Sequence, residues 1–331
     1  MSARRRRIVA VASALGGAVL FAYVIGRAGP AEIFDGVRRV GWGLGAILAL
    51  QGLRFALRAT SWRLCMPEET PLTFHRAFSA FVAGDSVGNV TPLGLLASEP
   101  TKVFLTRHDL ATRDAVASLA VENLIYGASV IVMVVAGLAI VLVTVPIPAA
   151  WWIALTVLLA ALALSPFVAL RLLRGTWEVS DGARPRWRQR LSNVRLAVVG
   201  VSARHPARLW RAFGVDMIFH LVGVVEVFVT LGWLLGDRRP TLVQAVAFEA
   251  LNRAVTVAFK FVPFRIGIDE ALSGAAAPAL AVNPAAGVAL AVVRKVRSLC
   301  WTAVGLAIIS AHPLRAAPAP EVPENGSARQ P

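Results

Sequence analysis

Cysteine is nearly absent: Cys65 and Cys300 are the two in 331 residues. A pair so far apart gives neither a disulfide framework nor a metal-ligand spacing. Charge is scarce as well, at 16% of residues, where an ordinary soluble domain carries roughly 25%. Acids are the rarer sign, with 19 Asp and Glu against 34 Lys and Arg, for a formal net charge of +15. No zinc-ligand set, nucleophile triad or glycine-rich phosphate loop stands in the sequence. No cofactor, no metal and no catalytic residues are therefore expected.

What the chain has instead is apolar length. Hydrophobic residues make up 57% of it, and the mean hydropathy is +0.66. Windows near the ~20 residues that cross a bilayer as a helix recur from end to end, so the chain reads as a polytopic membrane protein. In a soluble protein its basic excess would suggest nucleic acid. Here the arginines fall between the apolar runs, where the positive-inside rule puts them. Nucleic acid is not an expected partner; anionic lipid headgroups are.

Taken in order, the spans alternate. Arg4 to Arg7 precede an apolar run over 8–26 that reads as an uncleaved first helix with its N-terminus in the cytoplasm. A second span over 41–60 returns, with Arg54, Arg58 and Arg63 read as cytoplasmic anchors. A semi-polar helix over 71–92, carrying Asp85 and Asn89, meets a break at Pro92 and Gly94, then Glu99 and a basic loop with Lys102, Arg107 and Arg113. Proline removes a backbone donor, and a break at membrane depth survives only inside protein or along a water-filled cavity. This element reads as a re-entrant hairpin. Spans over 115–145 and 149–173 follow, then the basic stretch 174–208. A span over 213–235 leads to an outer turn, Gly236 to Pro240. A second semi-polar helix over 243–262 ends in a break at Pro263 and Gly267, and a last span covers 285–310.

The two breaks share one register. Pro92 and Glu99 fall on Pro263 and Glu270, and at the same offset Ala115, Leu119, Ala120 and Val121 fall on Ala286, Leu290, Ala291 and Val292. The first hairpin opens from inside and the second from outside. The expectation is an all-α polytopic membrane protein with about six full spans plus two re-entrant helical hairpins arranged as inverted repeats. Residues 1–312 form a single integral membrane domain, with repeat halves at about 8–173 and 209–312 joined by the basic cytoplasmic segment 174–208. The tail, 313–331, is Pro/Ala-rich and expected to be disordered. Both termini are expected in the cytoplasm and the protein in the cell (inner) membrane.

Ionisable residues inside spans mark candidate sites. At 100° per residue Glu249, Arg253, Thr256 and Lys260 fall within about 60° of one another on a helix. Glu249 and Arg253 are spaced to pair. Their stripe must face protein or water, as a polar site or as buried structural ions. Ser118, Glu122, Tyr126 and Ser129 share a face in the first half, where the second half offers Arg294, Lys295 and Arg297. Such unlike charges either line a headgroup cavity or pair between helices. Asp216 and His220 are spaced as a proton relay or as a hydrogen bond between helices, with Glu226 on another face.

The RATSWR run from Arg58 to Arg63, the set Asn89, Pro92 and Glu99, the set Pro263, Gly267 and Glu270, and the closing Arg294 and Arg297 resemble the flippase-like membrane domain named for the transmembrane region of lysylphosphatidylglycerol synthase. The resemblance covers about residues 8–312. Departures are Ala97-Ser98 where the family usually has Gly-Gly, Lys102 where an arginine usually follows the acid, and Asn123 where an arginine is common. The resemblance implies an integral membrane protein that moves, or helps to move, a lipid between leaflets, through a polar cavity between repeats. Glu99 and Glu270 are then the expected orienting acids or gates, and Lys102, Arg253, Lys260, Arg265 and Arg294 the expected phosphate holders. In the synthases a soluble aminoacyl-transferase domain follows; this chain ends soon after its last span, so a transporter is expected, not an enzyme. The expected ligand is a lipid with an anionic or zwitterionic headgroup, with a homo-oligomer or a pathway enzyme as a further partner. Two rivals stand beside it: an integral-membrane enzyme acting on a lipid-linked substrate, and a non-transporting accessory subunit of a lipid or glycan pathway.

Overall fold

A computed structural model of the chain describes residues 30–67, 70–91, 94–144, 206–259 and 262–311, and residues 156, 160 and 164 singly. Outside them lie the expected span 8–26, the rest of the expected span 149–173, most of the basic segment 174–208, Pro92, Lys260 and the tail 313–331. Among the described residues every regular element is helical and none is a strand. We number the α-helices α1 (Pro30–Val40), α2 (Gly43–Leu64), α3 (Phe74–Val90), α4 (Gly94–Thr106), α5 (Thr112–Thr144), α6 (Pro206–Leu234), α7 (Leu242–Ala258), α8 (Ile268–Ala276) and α9 (Pro284–Ala311), with short 3-10 turns at Pro263–Arg265 and Pro278–Leu280.

Helices stand at four of the six expected spans: α2, α5, α6 and α9. Two of them, α5 and α6, are long and apolar enough to cross a membrane unaided, and α1 with α2 adds a third if that bent pair is one span. Only 28% of the apolar window of α5 is buried inside the molecule. The exposed Val116, Leu124, Val132 and Val143 along it form a surface suited to lipid, not water. The 28-residue α9 falls short of the same criterion because Arg294, Lys295 and Arg297 interrupt it. The stretch expected as an outer loop after the first span is partly helical: α1 turns into α2 through 74° at Gly41, whose φ of +43° suits glycine.

Both breaks are present. Helix α3 stops at Val90 and α4 starts at Gly94, close enough to the preceding turn that a Cβ on Gly94 would collide with the Gly88 carbonyl. The second break is wider: α7 stops at Ala258 and α8 starts at Ile268. Phe264 and Arg265 hold φ of +49° there, and Gly267 +81°. Helix α7 begins with a capping box, in which Gln244 N–H donates to Thr241 Oγ1 and Thr241 N–H to Gln244 Oε1.

Packing brings the two ends of the chain together. Helix α2 lies along α6, α3 along α9, and α7 along α5. Small residues set two of these approaches: a Cβ on Gly305 of α9 would run into Ser86 of α3, and one on Gly137 of α5 into Ala250 of α7. The short helices differ, since α4 folds back on α3 whereas α8 packs on α9. One apolar core joins α6, α7 and α9 around Leu231, Phe248 and Leu290, and another joins α2, α3 and α5 around Trp62, Ala80 and Leu119.

Candidate functional site

Arginines from α2, α7 and α9 converge on carboxylates from α5, α6 and α7. Arg54 lies 3.3 Å from Glu226 and 3.3 Å from Glu249. Glu249 is also 2.9 Å from Arg253 and 2.8 Å from Arg294, and Glu226 pairs with Arg297. Arg58 has two acids of its own, Glu122 at 2.6 Å and Asp216 at 3.5 Å. The acids Glu122, Asp216 and Glu249 have no exposed surface. A charge at the bilayer centre costs at least ~2.5–3.5 kcal/mol on insertion scales, and these partners offset it.

The compensation is uneven. Four guanidiniums, Arg54, Arg253, Arg294 and Arg297, share two carboxylates, Glu226 and Glu249. The Nε–H groups of Arg54, Arg294 and Arg297 are buried with no acceptor among the described residues. Aromatic faces carry part of the load: Arg58 sits 3.6 Å from the Tyr126 ring centroid and Arg54 4.3 Å from that of Phe219. Arg253 also donates to the Tyr126 hydroxyl at 3.2 Å.

A cavity of about 240 Å³ opens beside this network. Arg54 and Arg58 line it from α2, Arg253, Arg265 and Arg297 from the second half, and Lys102 and Glu99 from α4. Glu122, Asp216, Glu226 and Glu249 are not among its lining residues; they hold the arginines from behind. The cavity surface is therefore dominated by cationic donors. Phe81, Phe219 and Phe264 supply apolar patches, and Asp85, Asn89, Asn252 and Thr256 supply polar ones.

The residues expected from sequence divide as follows. Glu99, Lys102, Arg253, Arg265 and Arg297 line the cavity, and Lys102 Nζ lies 2.9 Å from Glu99. Glu249 and Glu122 sit behind it as partners of the arginines. Arg294 reaches Glu249 without lining the cavity. Glu270 does not face it either: its Oε2 accepts from Gly267 N–H at 2.8 Å, and Lys295 lies 3.5 Å away. It caps α8, placing its charge at the helix N-terminus. Arg265 pairs with Asp269 at 3.1 Å, not with Glu270. Lys295 also bonds the Phe264 carbonyl and sits 3.1 Å from Asp269, so it ties the second break to α9. Asp216 and His220 take separate partners, Arg58 for the first and Ser129 Oγ at 3.0 Å for the second. Lys260 lies outside the described residues.

Arg54 and Arg58 require a correction. An interfacial anchor has to reach headgroups or water, yet Arg54 is 2% exposed and Arg58 8%, each held by two acids. They belong to the site. The available signal was their one-turn spacing within an apolar helix, which puts two charges on one face. Glu226, an acid in the middle of an apolar span, likewise demands a partner, and Arg54 and Arg297 supply it. Tyr126, on the Glu122 face, lies under Arg58 and accepts from Arg253. At the hairpin's exposed end Arg76 pairs with Asp109; that hydrogen bond pushes the Arg76 guanidinium above its ordinary value and ties the start of α3 to the α4–α5 loop.

Residues 8–306 match the family model described as the lysylphosphatidylglycerol synthase TM region. No curated protein and no solved structure matches the chain.

Proposed function

The chain belongs to the lysylphosphatidylglycerol synthase transmembrane-region family, and we propose that it moves a phosphate-bearing lipid between the leaflets of the cell membrane by alternating access. Membership makes it a membrane protein related to lipid biosynthesis or transport. The observation that carries the finer reading is the cavity wall. Of the four guanidiniums that share two carboxylates, Arg54, Arg253 and Arg297 line it, and the Nε–H groups of Arg54 and Arg297 have no acceptor among the described residues. That wall is short of negative charge, and a phosphate supplies it with several acceptor oxygens at once.

A headgroup cannot cross hydrocarbon unaided, because an unpaired ion costs several kcal/mol or far more to bury. A cavity lined by fixed cations replaces its hydration, while the acyl chains stay in lipid. The packing supports two inverted repeats as the moving parts. Exchanging α2 with α6, α3 with α7 and α5 with α9 turns the α3–α9 pairing into the α7–α5 pairing and leaves α2–α6 unchanged. In this reading both termini are cytoplasmic and the Gly236 to Pro240 turn is outside.

Dithionite quenching of acyl-labelled fluorescent lipids in proteoliposomes tests the proposal. The purified protein is expected to bring inner-leaflet label out faster than protein-free vesicles and faster than an R253Q/R297Q variant. Rates equal to those of empty vesicles for anionic and zwitterionic lipids alike would overturn it. Chemical conversion of the lipid by the purified protein would make the chain an enzyme instead.

A further inference from the structure

One acid on the cavity wall has no place in the arginine network. Asp85, on the cavity-facing side of α3, is partly accessible and lines the same cavity as Arg54, Arg253 and Arg297. Every other acid at or behind this cavity holds a cation: Glu99 holds Lys102, Glu122 and Asp216 hold Arg58, and Glu226 and Glu249 hold the four arginines. Asp85 makes no ion pair among the described residues. Its one hydrogen bond comes from Asn89 Nδ2, 2.9 Å from Oδ2, which orients the carboxylate and leaves Oδ1 free. Gly88, Gly94 and Ser98 of the first hairpin line the same cavity.

The cavity thus carries opposite charges on two walls. Surplus guanidinium lies on the α2, α7 and α9 side, and a carboxylate without an ion pair, reached only at longer range by the charges of Lys102, Arg265 and Arg297, lies on the α3 side. We propose that the transported headgroup is zwitterionic, a phosphodiester joined through a short linker to a single primary ammonium, with the phosphate on Arg54, Arg253 and Arg297 and the ammonium on Asp85. The proposal deepens the transport reading and rests on its cavity. An anionic headgroup with a neutral alcohol terminus would leave Asp85 without a cation. An ammonium satisfies it with up to three donors. Asp85 is then a specificity residue, and Asn89 positions it.

The test separates binding from transport. Full-length protein in detergent is titrated with two soluble headgroups that differ only at the terminus, glycerophosphoethanolamine and glycerophosphoglycerol, and acyl-labelled phosphatidylethanolamine and phosphatidylglycerol are compared in proteoliposomes. The ethanolamine headgroup is expected to bind about tenfold more tightly, the ratio appropriate to one charge-assisted contact. D85N, which keeps size and the Asn89 contact, should erase that ratio and leave the glycerol headgroup unaffected, while D85E should retain the preference. Equal affinity of the wild type for the two headgroups overturns the proposal without any variant. So does a D85N protein that weakens both alike, the result expected of a structural or ion-coupling acid. Preferential binding without translocation would sink the transport reading and leave standing the placement of phosphate on the arginines and ammonium on Asp85. Equal translocation and binding of the two lipids would do the reverse.

Discussion

The guanidinium of Arg54 meets the carboxylate of Glu249 at 3.3 Å across 195 residues of chain. The contact forms because α6 passes between them with no side chain in the way: a Cβ on Gly223 would strike the Glu249 carboxylate. One missing methyl group lets three helices share one carboxylate.

Gly223→Ala should therefore destabilise the protein by about 1–3 kcal/mol, the usual cost of overpacking. Gly214 lies on the same helix with nothing within 4 Å of its would-be Cβ. Gly214→Ala should be neutral or slightly stabilising, because alanine suits a helix better. Thermal melting of the two variants in one detergent gives the comparison. Equal melting temperatures would mean that α6 and α7 do not approach this closely.

Glu249→Gln should be the most damaging single change in the network. It removes one of two carboxylates shared by four arginines, and breaking a buried pair in this way costs ~3–5 kcal/mol. Glu226→Gln, with two partners in place of three, should cost less. Membrane abundance and melting temperature read out the order E249Q below E226Q below wild type. The reverse order would show that the sharing is not what holds these helices.

Arg253→Lys keeps the charge and loses the planar fork that reaches both Glu249 and the Tyr126 hydroxyl. The fold should survive, since the cation remains. Lipid translocation should fall by roughly ten- to a hundredfold, matching the ~1.5–3 kcal/mol of a hydrogen bond to a charged group. Unchanged rates in a stable variant would remove Arg253 from the path of the headgroup.

Glu99 and Glu270 should separate experimentally. Glu99→Gln frees Lys102 in the cavity and is expected to change translocation with little effect on melting. Glu270→Gln weakens the cap on α8 and is expected to lower the melting temperature by the equivalent of ~0.5–2 kcal/mol, the range for helix caps. Its effect on lipid preference should be nil. A stable Glu270→Gln that alters lipid preference would put that acid back in the cavity.

Single cysteines at Asp109 and Asp237, in a background lacking Cys65 and Cys300, should label from opposite sides of the membrane. Asp109 precedes α5 and Asp237 follows α6. Impermeant maleimide on intact cells, before and after lysis, distinguishes them. Labelling of both from one side would end the inverted-repeat arrangement.

The helical class, both breaks and the Glu249–Arg253 face were legible in the sequence because each is a local pattern. Periodicity marks a face, and proline with glycine marks a break. The partners of Arg54 were not legible, since they arrive from 172 and 195 residues away with no spacing rule to announce them. The equal register of Glu99 and Glu270 misled for a specific reason. Helix α4 begins at Gly94, well before Glu99, whereas α8 begins at Ile268, so Glu270 sits in its first turn. The same offset in sequence thus puts one acid on a helix flank and the other against backbone N–H groups. Arg58 was read by the positive-inside rule, which places charges along a chain but says nothing of burial.

The distance along the chain between Arg54 and its acids has a consequence for how the protein is made. Glu226 is synthesised 172 residues after Arg54, and at 5–20 residues per second that takes roughly 9–34 s. During that interval neither acid that pairs with Arg54 in the folded protein has been made, although Glu122, a partner of Arg58, has. A lone guanidinium avoids hydrocarbon by reaching for the headgroups, so α2 is expected to stay at shallow depth until α6 and α7 emerge. The order of synthesis then makes the second half the agent that draws the first into place, and a chain truncated before Glu226 is a poor substrate for membrane integration.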